Sequence, residues 1–234
     1  MHDCHTHSLY SEDVDKQRGS SIDAMAARAL EIGLASIAIT DHLEIDNVGS
    51  PLHEPLDSDG IRRDVMAAKE KYAGRLNVIY GVELAQMMHK PDVTGKWLEK
   101  YRYEYVIGST HTLRDRSLFS SPDFFDGKSD AQLKASWELY LSEVREMLTA
   151  DSYDVLAHIT YPTRYYYKHG KEYLIDLEHK GREQFEDILK AVINKGVALE
   201  INTSGLRQPI GVTLPNRDLA AFYYELGGRE LSFG

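Results

Sequence analysis

The sequence predicts an α/β fold, and three observations carry that expectation. Short apolar runs rich in β-branched residues alternate with longer stretches of helical period, the pattern of parallel strands joined by helical crossovers. Seven such runs can be picked out, a number that suggests a (β/α) barrel more than an open sheet. The 234 residues suit one domain, residues 1–234, without an internal boundary.

Taken in order, residues 3–7 (DCHTH) form the first strand. A helix over residues 22–32 follows, with Ser21 as its N-cap and Gly33 just past its end. SIAIT, residues 36–40, is the second strand. Residues 47–60, with Gly49, Pro51 and Pro55 and no clear period, read as a long loop. Residues 77–84 (NVIYGVEL) and 105–109 (YVIGS) are the third and fourth strands. A helix over about residues 129–150 leads to the fifth, residues 154–158 (DVLAH). Another, over about residues 177–195, stops before Gly196 and the sixth strand, residues 197–202 (VALEIN). Residues 230–233 (ELSF) are the seventh.

Composition narrows the function classes. Apolar side chains make up 42% and charged ones 27%, the range of ordinary globular chains. No run of about 18 apolar residues exists and the N-terminus lacks an apolar leader core, so neither membrane insertion nor secretion by that route is expected. The single cysteine, Cys4, cannot form an internal disulfide, and a cytoplasmic location is expected. A net charge of -10, from 27 basic and 37 acidic residues, is the wrong sign for gripping nucleic-acid phosphates, so a small substrate is the better expectation.

The ten histidines fall in two classes. His2, His53, His89, His169 and His179 lie in the leader, in loops or among charged residues, and read as surface groups. The others end strands. His5 and His7 are two apart on the first strand, so both rings point to one side and can share a metal, or else sit on a solvated edge. His42 follows the second strand as a candidate ligand; Asp41 beside it could hold the ring tautomer or cap a helix. Glu83 places a carboxylate inside an apolar run, which demands a neutralising partner, and a bridging metal would supply it. His111 and His158 end the fourth and fifth strands, where a buried structural histidine is the alternative for each alone. Five strand ends offering His or Glu together favour a site, because parallel barrels build theirs at the C-terminal ends of strands. Asp13, in the loop after His7, is a further oxygen donor or a solvated loop carboxylate.

Taken together, His-Thr-His-Ser at the start, Thr-Asp-His, Gly-Val-Glu, Gly-Ser-x-His and a later Ala-His before a Glu-Ile-Asn strand resemble the PHP (polymerase and histidinol phosphatase) superfamily. The loop SPDFFDGKSDAQL and the segment LEINTSGLR are similar to its histidinol-phosphatase branch. The resemblance spans nearly the whole chain and implies a distorted (β/α)7 barrel with up to three divalent transition metals, Zn, Mn or Fe, at the strand ends. It implies His5 and His7 on one metal, with Glu83 bridging to a second that His111 and His158 complete, and Asp13 and His42 on a third. It further implies hydrolysis of a phosphate monoester, L-histidinol phosphate, in histidine biosynthesis. Glu83, His111 and His158 are then the catalytic residues. By position, Arg164 follows the fifth strand and Arg207 the sixth, where either could clamp a phosphate, or else be an ordinary surface arginine. A PHP phosphoesterase acting on nucleotides, or a metal-binding domain without turnover, are the competing readings. One departure stands out: the family's Ser-Asp-Ala-His element after the seventh strand has no counterpart here, so the chain is expected to lack its C-terminal end.

Overall fold

Capping chemistry and apolar spacing set the helices of the computed structural model, which describes residues 1–17, 19–50 and 56–234. Ser21 accepts a hydrogen bond from the Ala24 amide (3.3 Å) and opens α1 (Ile22–Glu31). Gly33 follows the helix at φ +78°, in the left-handed region where a Cβ is disfavoured. The chain packs as two compact units, Met1–Gly108 with Phe233–Gly234, and Ser109–Ser232.

The first unit contains β1 (His2–Thr6), α1, β2 (Ser36–Ile39), β3 (His42–Glu44), a 3-10 turn (Ile45–Asn47), α2 (Ser58–Lys71), β4 (Asn77–Ala85), α3 (Pro91–Tyr101) and β5 (Tyr105–Ser109), whose last residue opens the second unit. Its strands run in the spatial order β1-β2-β4-β5, with β3 beside β4. β1 with β2, β2 with β4 and β3 with β4 are parallel pairs. Ile22, Ala26 and Ala29 of α1 recur at helical spacing and bury with Val65 of α2 against Ile39 and Val78 of the sheet. Each buried Ile or Val contributes roughly 1.5–3 kcal/mol. β2 is buried along its whole length, as a covered parallel strand should be. Gly81 is needed where β4 passes its neighbours, because a Cβ there would lie 2.8 Å from Thr40 Cγ2 and 3.1 Å from both the Ile39 and Tyr105 carbonyl oxygens.

The second unit contains α4 (Asp130–Met147), β6 (Val155–Leu156), α5 (Thr163–Lys168), a 3-10 turn (Glu172–Leu174), α6 (Leu177–Lys195), β7 (Ala198–Ile201), a 3-10 turn (Ser204–Arg207), α7 (Arg217–Glu225) and most of β8 (Leu231–Phe233). β6 and β7 pair in parallel, and β8 lies next to β7. Ser129 and Gln132 form a capping box at the start of α4, and Gly196, at φ +71°, ends α6. Among the described residues no helix is long and apolar enough to cross a membrane.

Several local expectations are corrected. β1 closes at Thr6, so His7 stands just past the strand. Residues 42–44, expected only to follow the second strand, form a strand of their own because their backbone continues the ladder onto β4. The expected loop over residues 47–60 gives way to α2 at Ser58, with Asp57 as N-cap accepting from the Gly60 amide at 2.8 Å; Pro51, His53 and Pro55 lie outside the described residues. His89 is no surface group: its ring stands 2.9 Å from Asp46, and both side chains are almost buried.

Candidate metal centre

In the first unit, parallel register brings the donors together. β3 and β4 pair His42 opposite Glu83, and β1 with its following residue supplies His5 and His7. Glu83 is fully buried, and its Oε2 lies 2.8 Å from His42 Nδ1, 3.1 Å from His5 Nε2 and 3.3 Å from His7 Nε2. Asp13, about half exposed, stands 3.5 Å from both His7 Nδ1 and His42 Nε2. Glu44 lies 3.6 Å from His42 Nδ1. Ligand atoms of His5, His7 and Glu83, and of His7, Asp13 and His42, fall within 4.8 Å of one another.

This donor set fits a divalent cation. A carboxylate oxygen offers two lone pairs, and three imidazole nitrogens converging on one such atom exceed what proton-mediated bonds satisfy. A mixture of imidazole and carboxylate is the donor chemistry of first-row divalent metals. The same groups act on one another electrostatically. Burial would lower the His42 pKa, but Glu83, Asp13 and Glu44 raise it well above the usual histidine range. Burial would raise Asp13, yet hydrogen bonds from His42 and His7 hold it well below the usual carboxylate range.

Asp41 neither caps a helix nor orients an imidazole. Only 1% exposed, its carboxylate accepts hydrogen bonds from the Ser8 amide (2.6 Å), the Ser8 hydroxyl (2.7 Å) and the Ser11 hydroxyl (2.8 Å). Ser11 Oγ in turn accepts from the His42 amide (3.2 Å). Asp41 therefore ties the loop that runs from His7 to Asp13 onto the backbone of His42.

In the second unit, His111 and His158 lie with ring centroids 5.3 Å apart, both nearly buried. His158, two residues past β6, has φ +24°, a strained value for a residue with a Cβ. Its amide donates to Glu200 Oε2 (2.8 Å), and its carbonyl accepts from the Tyr161 amide (2.6 Å). Glu200, 1% exposed on β7, also accepts from Asn202 Nδ2 (3.2 Å), and Asn202 Oδ1 accepts from the Ser204 amide (3.0 Å). Arg164 lies over the rings of Tyr161 (4.2 Å) and Tyr165 (5.1 Å) and reaches Ser204 Oγ at 3.5 Å, while its buried Nε has no hydrogen-bond partner. Arg207 ends its 3-10 turn exposed. Glu200 was missed from sequence, although VALEIN places a carboxylate in an apolar strand just as the Glu83 run does.

Comparison with known proteins bears directly on these motifs. A family model described as the PHP domain matches residues 3–204. The chain belongs to that family. Among relatives of this PHP chain, a probable histidinol-phosphatase of Clostridium acetobutylicum is 28% identical over 234 residues, covering 99% of this chain and 84% of that protein. A crystal structure from Listeria monocytogenes that carries the name of a histidinol phosphatase aligns at TM-score 0.83 and 20% identity, over 100% of this chain and 94% of that one. The histidinol phosphate phosphatase of Lactococcus lactis, solved in complex with zinc, L-histidinol and phosphate, aligns at TM-score 0.75 and 19% identity, over 100% and 84%. At these identities the structural likeness carries the fold, and the PHP-type α/β fold expected from the sequence is the fold of the chain.

Proposed function

We propose that the chain is a metal-dependent phosphomonoester hydrolase acting on L-histidinol phosphate, a single PHP-type domain of the cytoplasm serving histidine biosynthesis. The observation that carries the reading is the buried Glu83 oxygen encircled by His5, His7 and His42 in a chain whose relatives are named histidinol-phosphatases. Up to three metals, Zn, Mn or Fe, would be held, with His5, His7 and Glu83, Asp13 and His42, and His111 and His158 as the donors. When bound, such metals supply positive charge against the phosphoryl oxygens and lower the pKa of the attacking water. Glu83, His111 and His158 would serve catalysis as donors to those metals. Arg164, immobilised on two tyrosine rings with Nε–H unspent, binds the phosphoryl group through charge-assisted hydrogen bonds, and Arg207 offers a second guanidinium. The acidic net charge disfavours long nucleic acids as substrates.

Steady-state phosphate release tests the reading. The purified chain should hydrolyse L-histidinol phosphate in preference to nucleoside monophosphates, and Arg164→Ala should raise KM about tenfold or more, the loss of a charge-assisted hydrogen bond of roughly 1.5–3 kcal/mol. Preference for nucleotides would transfer the assignment to another PHP phosphoesterase. Metal binding without any turnover would make the chain a binding domain.

A further inference from the structure

Gln86 is the best buried polar group for which the fold offers no use. Its side chain is 3% exposed, and neither Oε1 nor Nε2 has a hydrogen-bond partner. Its backbone sits at φ +53°, a left-handed conformation that a glutamine adopts at a cost. Buried amides are almost always satisfied, and strained non-glycine residues gather where a ligand is gripped.

The surroundings hold this conformation firmly. The Gln86 carbonyl accepts from the His89 amide (2.9 Å) in a tight turn. His89 is joined to Asp46 at 2.9 Å, and Lys90 Nζ donates to the carbonyls of Asp46 (2.9 Å) and Val48 (3.2 Å). The turn after β4 is thus stitched to the segment after β3. Gln86 directly follows Ala85, the register partner of Glu44, and lies three residues beyond Glu83, roughly 10 Å along an extended strand. It therefore stands at the same strand end as the metal ligands, on a stretch of edge carrying the carboxylates of Glu44 and Asp46.

We propose that Gln86 is a specificity-determining residue that recognises a nitrogen-bearing leaving group of the phosphomonoester. Oε1 accepts from an amine or ring N–H of that group, and Nε2 donates to a ring nitrogen or hydroxyl oxygen. A carboxamide, which offers one acceptor and one donor side by side, suits such a group better than it suits the phosphoryl anion, against which Oε1 would be repulsive. The inference rests on the phosphatase reading and adds to it the contact that selects the alcohol.

The test compares the whole chain with Gln86→Leu, and with Gln86→Met as a second apolar variant, on L-histidinol phosphate and on phenyl phosphate, whose leaving group has no N–H. The variants should lose about tenfold or more in kcat/KM on L-histidinol phosphate while staying within about twofold on phenyl phosphate. Their thermal midpoints should equal or exceed that of the wild type, because the buried amide is gone, and added L-histidinol should raise the midpoint of the wild type only. Equal losses on both substrates, no loss on either, or a midpoint lowered in both variants would overturn the proposal by making Gln86 a structural residue. Failure of the wild type to release phosphate from either substrate is a separate result: it removes the phosphatase reading, and this inference with it.

Discussion

The donors of the two units are held in place by different means. Around Glu83, regular parallel register does the positioning: His42 sits opposite Glu83 across a strand pair, and the His-x-His segment meets the same oxygen from β1. Around His158 the strand is only two residues long, and a strained backbone is held by Glu200 and the Asn202 and Ser204 contacts that follow it. Each region is therefore vulnerable at a different point. The first depends on a buried carboxylate, Asp41, that organises a loop, and the second on a buried carboxylate, Glu200, that accepts from the His158 amide and from Asn202.

The largest expected effect therefore belongs to Asp41. Asp41→Ala leaves three buried donors of Ser8 and Ser11 without an acceptor and should cost roughly 3–5 kcal/mol of stability, read as a lower denaturant midpoint, with reduced metal content as the loop carrying Asp13 loosens. An unchanged midpoint would show that the serine loop finds other partners and would erase the contrast between the regions.

Glu200→Ala probes the second region and should cost less, about 2–3 kcal/mol, because it abandons the His158 amide and one Asn202 donor. Its kinetic signature is sharper than its thermodynamic one: with the φ +24° backbone released, turnover should fall more than tenfold. Turnover at the wild-type level would show that His158 keeps its orientation without Glu200.

How much of this was legible in the sequence follows the same divide. His5, His7, His42 and Glu83 could be found because alternation along strands and a charge inside an apolar run are properties of the chain itself. The residues of the second region were partly hidden. His158 and Arg164 stood out by position, but Glu200 acts by accepting a bond from a residue 42 positions away, a tertiary contact that no local period encodes. His89 was misplaced for the same reason: its partner Asp46 lies 43 positions off and turns a loop histidine into a nearly buried one. β3 escaped notice because three residues are too few to show a period, and the pairing with β4 decides their conformation.

Metal content measured alongside phosphate release from L-histidinol phosphate, for the wild type and Glu83→Gln, decides whether the buried carboxylate anchors a catalytic metal. The wild type should carry divalent transition metal and lose turnover on chelation, and Glu83→Gln should retain the fold while losing metal and at least about a hundredfold in turnover. Wild-type metal content and turnover in Glu83→Gln, or turnover by the wild type that survives complete chelation, would contradict the account.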